Sequence, residues 1–196
     1  MEKCGKKIEK QTVDQIVDNI LNNIDAAQPL PLEKFICAID IPQIGVGTWT
    51  LRDEVATNNV RQALEAGFRL IDTAQAYENE KEVGDGIRQS GIARNEIFLT
   101  TKVATSIMRL SEKEICHSID ESLSSLQTPY IDLLLIHWPV KDCVEKTWKI
   151  MEKYVEEGKV RSIGVSNFNR HHLEDLFQYA KIRPVLNQIE VHPLMS

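Results

Sequence analysis

The sequence contains no C-x-x-C pair, and its four cysteines (Cys4, Cys37, Cys116 and Cys143) stand far apart. That spacing gives no sign of a zinc site or a small disulfide framework, so no metal is expected and a reducing compartment is the default. No apolar run approaches the roughly 20 residues that a membrane-spanning helix needs. The basic N-terminus is not followed by the apolar core of a secretory signal, so a cytoplasmic location and no membrane partner are expected. Positive charge is also short: 23 Lys and Arg stand against 29 Asp and Glu, for a net charge of −6. A nucleic-acid partner, which asks for a basic stripe or patch, is therefore not expected. What is present is 196 residues, 42% hydrophobic and 27% charged, enough for one sizeable globular domain.

From residue 44 onward, short apolar runs alternate with stretches of helical periodicity. The runs are IGVGT (44–48), RLIDT (69–73), IFLTTKV (97–103), YIDLLLIH (130–137), VRSIGVSN (160–167) and PVLNQIEV (184–191). Helices are predicted around NNVRQALEAG, ENEKEVGDGIRQSG, a segment opening at Ser111, VEKTWKIMEKYVEEG and RHHLEDLFQYA. Gly67 and Gly158 read as C-terminal stops. Ser111 with Glu114 reads as a capping box. The mixed-sign run EKYVEEGKVR (152–161) reads as a solvated helix face.

Six strands separated by five helices imply a parallel sheet with right-handed crossovers. An open doubly wound sheet is compatible with that pattern, yet no G-x-G-x-x-G follows the first strand. Polar residues recur at the C-terminal ends of the strands: Asp72, Lys102, His137, Ser166 with Asn167, and Gln188. In a β/α barrel those ends share one face, where active sites are built. The expected fold is thus α/β, a (β/α)8 TIM-type barrel that is incomplete at about six of eight βα units, spanning residues 35–196.

Residues 1–34 read as a separate N-terminal amphipathic helix and linker. Val13, Ile16, Val17, Ile20, Leu21 and Ile24 form one apolar stripe, Thr12 and Gln15 fit a capping box, and DAAQPLPLEK (25–34) is the linker. The helix either packs on the domain's own surface or docks a partner through residues 12–24. In the second role it resembles the encapsulation peptides of bacterial microcompartment enzymes.

Taken singly, each polar strand end has an innocent explanation: Asp72 as a helix cap, Tyr77 as a rim aromatic, Lys102 as a solvated cation, His137 as a satisfied histidine. Together they form a proton-delivery set. A tyrosine is a poor acid, with an ordinary pKa of about 10. A nearby ammonium stabilises its phenolate, and a carboxylate keeps that ammonium charged and in place. Such a phenol can protonate an oxygen on which negative charge builds, with His137 orienting that oxygen. No nucleophile stands beside a base, so covalent hydrolysis is not suggested. Proton delivery to a carbonyl needs a hydride as well, hence a nicotinamide cofactor.

The stretches IPQIGVGTW, GFRLIDTAQAYENEKEVG, IFLTTKV, YIDLLLIHWP, EEGKVRSIGVSNF and NQIEVHP resemble the aldo-keto reductase family, in its order, across residues 41–193. The resemblance implies a catalytic tetrad of Asp72, Tyr77, Lys102 and His137, with Tyr77 as general acid. It implies cofactor contacts from Gly47, Thr48, Asp72, Ser166, Asn167 and Gln188. It assigns the substrate pocket to Trp49, His137 and Trp138. The implied reaction is reduction of small aldehydes and ketones with NADPH, NADH being the alternative. FICAID (35–40) stands where the family plugs its barrel floor, without the usual turn, so an irregular plug is expected.

The family barrel has eight strands, and only six are legible here. The 2′-phosphate site of the cofactor belongs to the part not seen, so this chain is expected to hold the hydride-transfer end of the site. Open barrel edges leave free N–H and C=O groups, and each uncovered apolar side chain forfeits roughly 1.5–3 kcal/mol. Self-association through those edges, or an aggregation-prone monomer, is expected. The alternative function is a catalytically inactive barrel remnant acting as a scaffold or fragment.

Overall fold

A computed structural model describes residues 39–191. The apolar stripe at 12–24, the linker, most of FICAID and the His-Pro of NQIEVHP lie outside them. Six strands form one all-parallel sheet: β1 (Gly45–Gly47), β2 (Leu70–Asp72), β3 (Phe98–Val103), β4 (Leu133–Ile136), β5 (Ile163–Ser166) and β6 (Asn187–Gln188). Their spatial order is their chain order. A doubly wound sheet reverses direction at a switch point. Here every crossover advances the same way, so right-handedness puts all the helices on one face and leaves the other as an interior. Gln188 of β6 donates to the Asp72 carboxylate of β2 at 2.8 Å, across three intervening strands. Only a curled sheet brings those two side chains together.

The two faces follow from strand periodicity. On one, Ile71, Leu99, Leu134, Ile136, Ile163 and Val165 join the main core beneath the helices. On the other, Phe98, Leu133 and Leu135 form a smaller cluster with Leu70 and Leu186. Ile39 and Ile41, which lie in no strand, pack against this inner cluster. That agrees with an irregular plug as far as the described residues reach.

Five helices cover the outer face: α1 (Asp53–Glu65), α2 (Glu80–Ser90), α4 (Glu112–Ser125), α5 (Val144–Glu156) and α6 (Arg170–Tyr179); α3 (Thr105–Met108) is a single turn. The capping box of α4 forms as read, with the Ser111 hydroxyl accepting from Glu114 N–H and the Glu114 carboxylate accepting from Ser111 N–H. Gly67 and Gly158 follow their helices at φ +100° and +72°, a region that favours glycine. Gly86 is needed for close approach: a Cβ there would sit 2.6 Å from the Thr57 carbonyl oxygen of α1.

Four details depart from the sequence reading. Helix α1 begins at Asp53, earlier than its apolar repeat indicates, because its first turn is polar. Helix α3 is too short to show a period. The sixth strand is two residues rather than eight, since it pairs on one side only and Ile189 and Val191 are exposed. The run 152–161 is not a uniformly solvated face. Tyr154 is buried, and Glu152 is 4% exposed and accepts from the N–H groups of Lys181 and Ile182 at 2.7 and 2.8 Å.

Candidate active site

Inward-facing positions fall at alternate residues, and the candidate side chains share that parity. Lys102 lies four residues beyond Phe98, His137 two beyond Leu135, Asp72 two beyond Leu70, and Gln188 two beyond Leu186. They therefore form the layer above the inner apolar cluster, at the C-terminal ends of the strands. Lys102 is 1% exposed, and its Nζ donates to Asp72 Oδ1 at 2.5 Å and to the Thr73 carbonyl at 2.9 Å. The ammonium also lies 5.1 Å from the centroid of the Tyr77 ring. Tyr77 and His137 meet edge to face, with centroids 5.6 Å apart. The tetrad is thus brought together by β2, β3, β4 and the 3-10 turn Gln75–Tyr77.

The electrostatics differ from expectation in one respect. Lys102 is expected to make the phenol more acidic, yet the Tyr77 pKa is pushed up to about 12, by burial first and by Asp72 second. Asp72 neutralises much of the lysine's influence while adding its own negative field. The phenol is therefore held as a protonated donor. Burial lowers the Lys102 pKa, opposed by its pairing with Asp72. Burial also lowers the His137 pKa, helped by Lys102 and opposed by Asp72. At neutral pH the imidazole is uncharged. The Tyr77 hydroxyl and both His137 ring nitrogens have no hydrogen-bond partner among the described residues.

The other expected residues surround this set. Thr48 is fully buried and donates through both N–H and hydroxyl to the Asp72 carbonyl, at 3.0 and 3.2 Å. Gly47 precedes it in open space. The Ser166 hydroxyl donates to the Gln188 carbonyl at 2.9 Å, and Asn167 Nδ2 donates to the His137 carbonyl and to Ser166 Oγ, each at 3.0 Å. Asn167 holds this pose at φ +61°, a region asparagine tolerates. Asn167 Oδ1 and Gln188 Oε1 accept nothing from the described residues. Two free amide oxygens at the C-terminal ends of neighbouring strands suit the N–H donors of a nicotinamide carboxamide, so these residues fit that group. Trp49 and Trp138 stand on the rim, 71% and 53% exposed.

The sequence reading missed the residues that brace the mouth. The Asn79 side chain is buried, accepts from Thr73 Oγ1 at 2.9 Å, and donates to the carbonyls of Thr48 and Leu51 at 2.8 and 3.0 Å. It ties the loop after β1 to the end of β2. Gln75 and Glu80 brace the other side. All three fall within TAQAYENE, where polar residues crowd a tyrosine, but only the fold shows which partner each of them reaches.

These features define a β/α-barrel site of the acid–base kind. Residues 43–196 match the family described as Aldo/keto reductase family. The chain is 51% identical over 160 residues to 9,11-endoperoxide prostaglandin H2 reductase of Trypanosoma cruzi (strain CL Brener), covering 81% of this chain and 56% of that protein. It is 43% identical over 159 residues to glyoxal reductase of Bacillus subtilis (strain 168), covering 81% and 57%. Among solved structures it is similar to an aldo/keto reductase from Brucella melitensis, with TM-score 0.74 and 49% identity, covering 78% of this chain and 60% of that one. It is also similar to a Bombyx mori aldo-keto reductase in complex with NADP, with TM-score 0.70 and 38% identity, covering 77% and 55%. The chain belongs to the aldo/keto reductase family. It spans a little over half the length of these curated relatives.

Proposed function

We propose that this chain carries the hydride-transfer part of an oxidoreductase site that reduces small aldehydes and ketones to alcohols, with NADPH as reductant and NADH as the alternative. One observation carries the reading: the Tyr77 and His137 rings, with no hydrogen-bond partner on their polar atoms among the described residues, meet edge to face beside the Lys102–Asp72 pair, whose ammonium is buried. The names of relatives support the substrate class, since they include a glyoxal reductase and methylglyoxal reductases. The neighbour bound to NADP supports the cofactor.

In this mechanism the nicotinamide supplies the hydride. Asn167 and Gln188 orient its carboxamide, with Ser166 holding Asn167 in place, and Gly47 and Thr48 leave room beside the ring. His137 orients the carbonyl oxygen. The Tyr77 hydroxyl gives up its proton as charge builds on that oxygen, and Lys102 stabilises the phenolate left behind. Asp72 holds Lys102 in its charged form. Trp49 and Trp138 bound the substrate at the rim.

Further parts of the reading are also ours. Cys116 and Cys143 are free thiols, in keeping with the cytoplasm, and no helix among the described residues is long and apolar enough to cross a membrane. Self-association is assigned to the edges β1 and β6, where Ile44, Ile189 and Val191 are exposed. A docking role for residues 12–24 falls outside the described residues. The test is NADPH binding followed by tryptophan fluorescence, with NADPH oxidation by methylglyoxal measured in the full chain and in Tyr77→Phe. Saturable quenching with Tyr77-dependent turnover is expected. No quenching at millimolar cofactor would leave an idle scaffold in its place.

A further inference from the structure

We infer that Gln75 and Glu80 are positioning residues that strap the Tyr77 turn to strand β3 and helix α4, fixing the point from which the phenol delivers its proton. The inference rests on the reading of Tyr77 as proton donor. Tyr77 closes a single 3-10 turn, Gln75–Tyr77, which ends at Glu78 with φ +54°. Its backbone bonds are local: Tyr77 N–H to the Ala74 carbonyl and Glu78 N–H to the Gln75 carbonyl. A turn this short has poor hydrogen-bond geometry and little stiffness of its own. Something else must hold the ring 5.6 Å from His137.

The side chains flanking Tyr77 do so. Gln75 Oε1 accepts from the Ala104 N–H at 2.9 Å, two residues beyond Lys102. Its Nε2 lies 3.2 Å from the Ser118 carbonyl, 3.3 Å from Ser118 Oγ and 3.1 Å from Ser122 Oγ, all on α4. Glu80 Oε1 accepts from Thr101 Oγ1 at 2.6 Å, the residue just before Lys102. Its Oε2 accepts from Ser122 Oγ at 3.0 Å. Both straps converge on one hydroxyl of α4; Glu80 reaches the strand that carries the Lys102 ammonium, and Gln75 the residue just past its end. Thr101 has the outward parity and Lys102 the inward, so the straps grip β3 from behind the site.

A cavity of about 550 Å³, lined by Gln75, Glu80, Ala104, Ser118 and Ser122 among others, opens behind the turn. With the straps cut, the turn has room to move. A misplacement of about 1 Å costs on the order of 100-fold in rate, so a polar network remote from the substrate acts on turnover rather than on binding.

The test compares Gln75→Ala, Ser122→Ala, Glu80→Ala and Glu80→Gln in the full chain. Two readouts are taken: NADPH oxidation by methylglyoxal, and the tyrosine 13Cζ resonances, with Tyr77 assigned by its loss in Tyr77→Phe. Gln75→Ala and Glu80→Ala should lower kcat by about 10- to 100-fold with KM little changed. Glu80→Gln, whose amide can still meet Thr101 and Ser122, should recover most of it. The Tyr77 resonance should move in Gln75→Ala and Ser122→Ala while those of Tyr130 and Tyr179 stay. Unchanged kcat and an unmoved Tyr77 resonance would overturn the inference, as would equal losses in Glu80→Gln and Glu80→Ala. If Gln75→Ala does not fold, Ser122→Ala, which loses one oxygen, decides. If the parent chain oxidises no NADPH, the reductase reading fails by itself and the resonance still decides the strap.

Discussion

Two ionic clusters sit at opposite ends of the same strands, and they are built differently. At the N-terminal end, Asp132 is 3% exposed and its carboxylate is saturated. Arg161 donates to one oxygen at 2.9 Å, while Arg94 and the Leu99 N–H share the other at 2.6 and 3.0 Å. Arg94 also reaches Thr128 and the carbonyls of Ile97 and Tyr130, and the two guanidiniums sandwich the Tyr130 ring at 4.1 and 3.8 Å. At the C-terminal end, Lys102 and Asp72 are paired just as closely, but the tyrosine and histidine beside them keep their polar atoms free. A saturated cluster holds strands together. An unsaturated one is what chemistry needs, because free donors and acceptors are what a ligand can use.

If that contrast is right, the largest effect belongs to the upper cluster and to rate alone. Tyr77→Phe removes a hydroxyl that hydrogen-bonds to no described residue, so no polar partner is orphaned. Stability by urea melting should change by less than about 0.5 kcal/mol. Turnover of NADPH with methylglyoxal should fall by roughly 10²–10⁴-fold, the worth of a general acid. A stability loss comparable to that of a core mutation would mean the phenol is structural and the contrast false.

The second effect belongs to the lower cluster and to stability alone. Asp132→Ala leaves the Leu99 N–H without its partner and two guanidinium charges without their carboxylate, and removing one partner of a buried ion pair costs about 3–5 kcal/mol. Arg161 is half-exposed and can recover water, so the low end of that range is expected. The urea midpoint should drop, while KM measured on the folded fraction stays put. A change in KM without a shift in midpoint would reverse the roles of the two ends.

How much of this was legible in sequence follows from the same contrast. The meeting of Asp72, Lys102 and His137 at one mouth was readable because a polar residue ending an apolar strand violates the local pattern, and each of the three does so. The lower cluster was not: Asp132 sits inside YIDLLLIH and looks like a strand-start residue until Arg94 and Arg161 arrive from distant segments. Gln75 and Glu80 were hidden for the same reason, since their partners on β3 and α4 lie 21 to 47 residues away. The barrel parity was not legible either, because Leu133–Ile136 is apolar throughout and only the fold separates inner Leu133 and Leu135 from outer Leu134 and Ile136. The short β6 could not be read, because the apolar run 184–191 continues past Asn187 and Gln188, the two residues in register with β5. The acidity of Tyr77 was misjudged because spacing carries no measure of burial.

A third, smaller effect tests the curl. Gln188→Leu deletes the hydrogen bond that ties the β6 side chain to that of β2, whose acceptor is a partly exposed carboxylate. Its loss should cost about 1 kcal/mol in urea melts. Asp72 still keeps Lys102, so the cost should stay well below that of Asp132→Ala. A loss as large would mean that β6 depends on that single bond for its place.

The smallest effect is in pH. Burial and Lys102 hold the folded His137 pKa below its ordinary 6.5, with Asp72 opposing. Between the folded value and 6.5 the unfolded chain therefore binds the proton and the folded one does not. Stability must fall as pH drops through that window, and above 6.5 the residue contributes no slope. Glu80 acts the other way at lower pH: burial raises its pKa, so folding is eased as its carboxyl takes up a proton. Subtraction separates the two. The difference in Tm between the parent chain and His137→Gln, in which Glu80 is common to both, should be constant above pH 7 and should move against the parent as pH falls below 6.5. The imidazole is partly exposed, so the shift should be modest. A difference that moves in favour of the parent on acidification would mean that Asp72 outweighs burial at His137, and that the imidazole takes up a proton more readily in the folded chain than in the unfolded one.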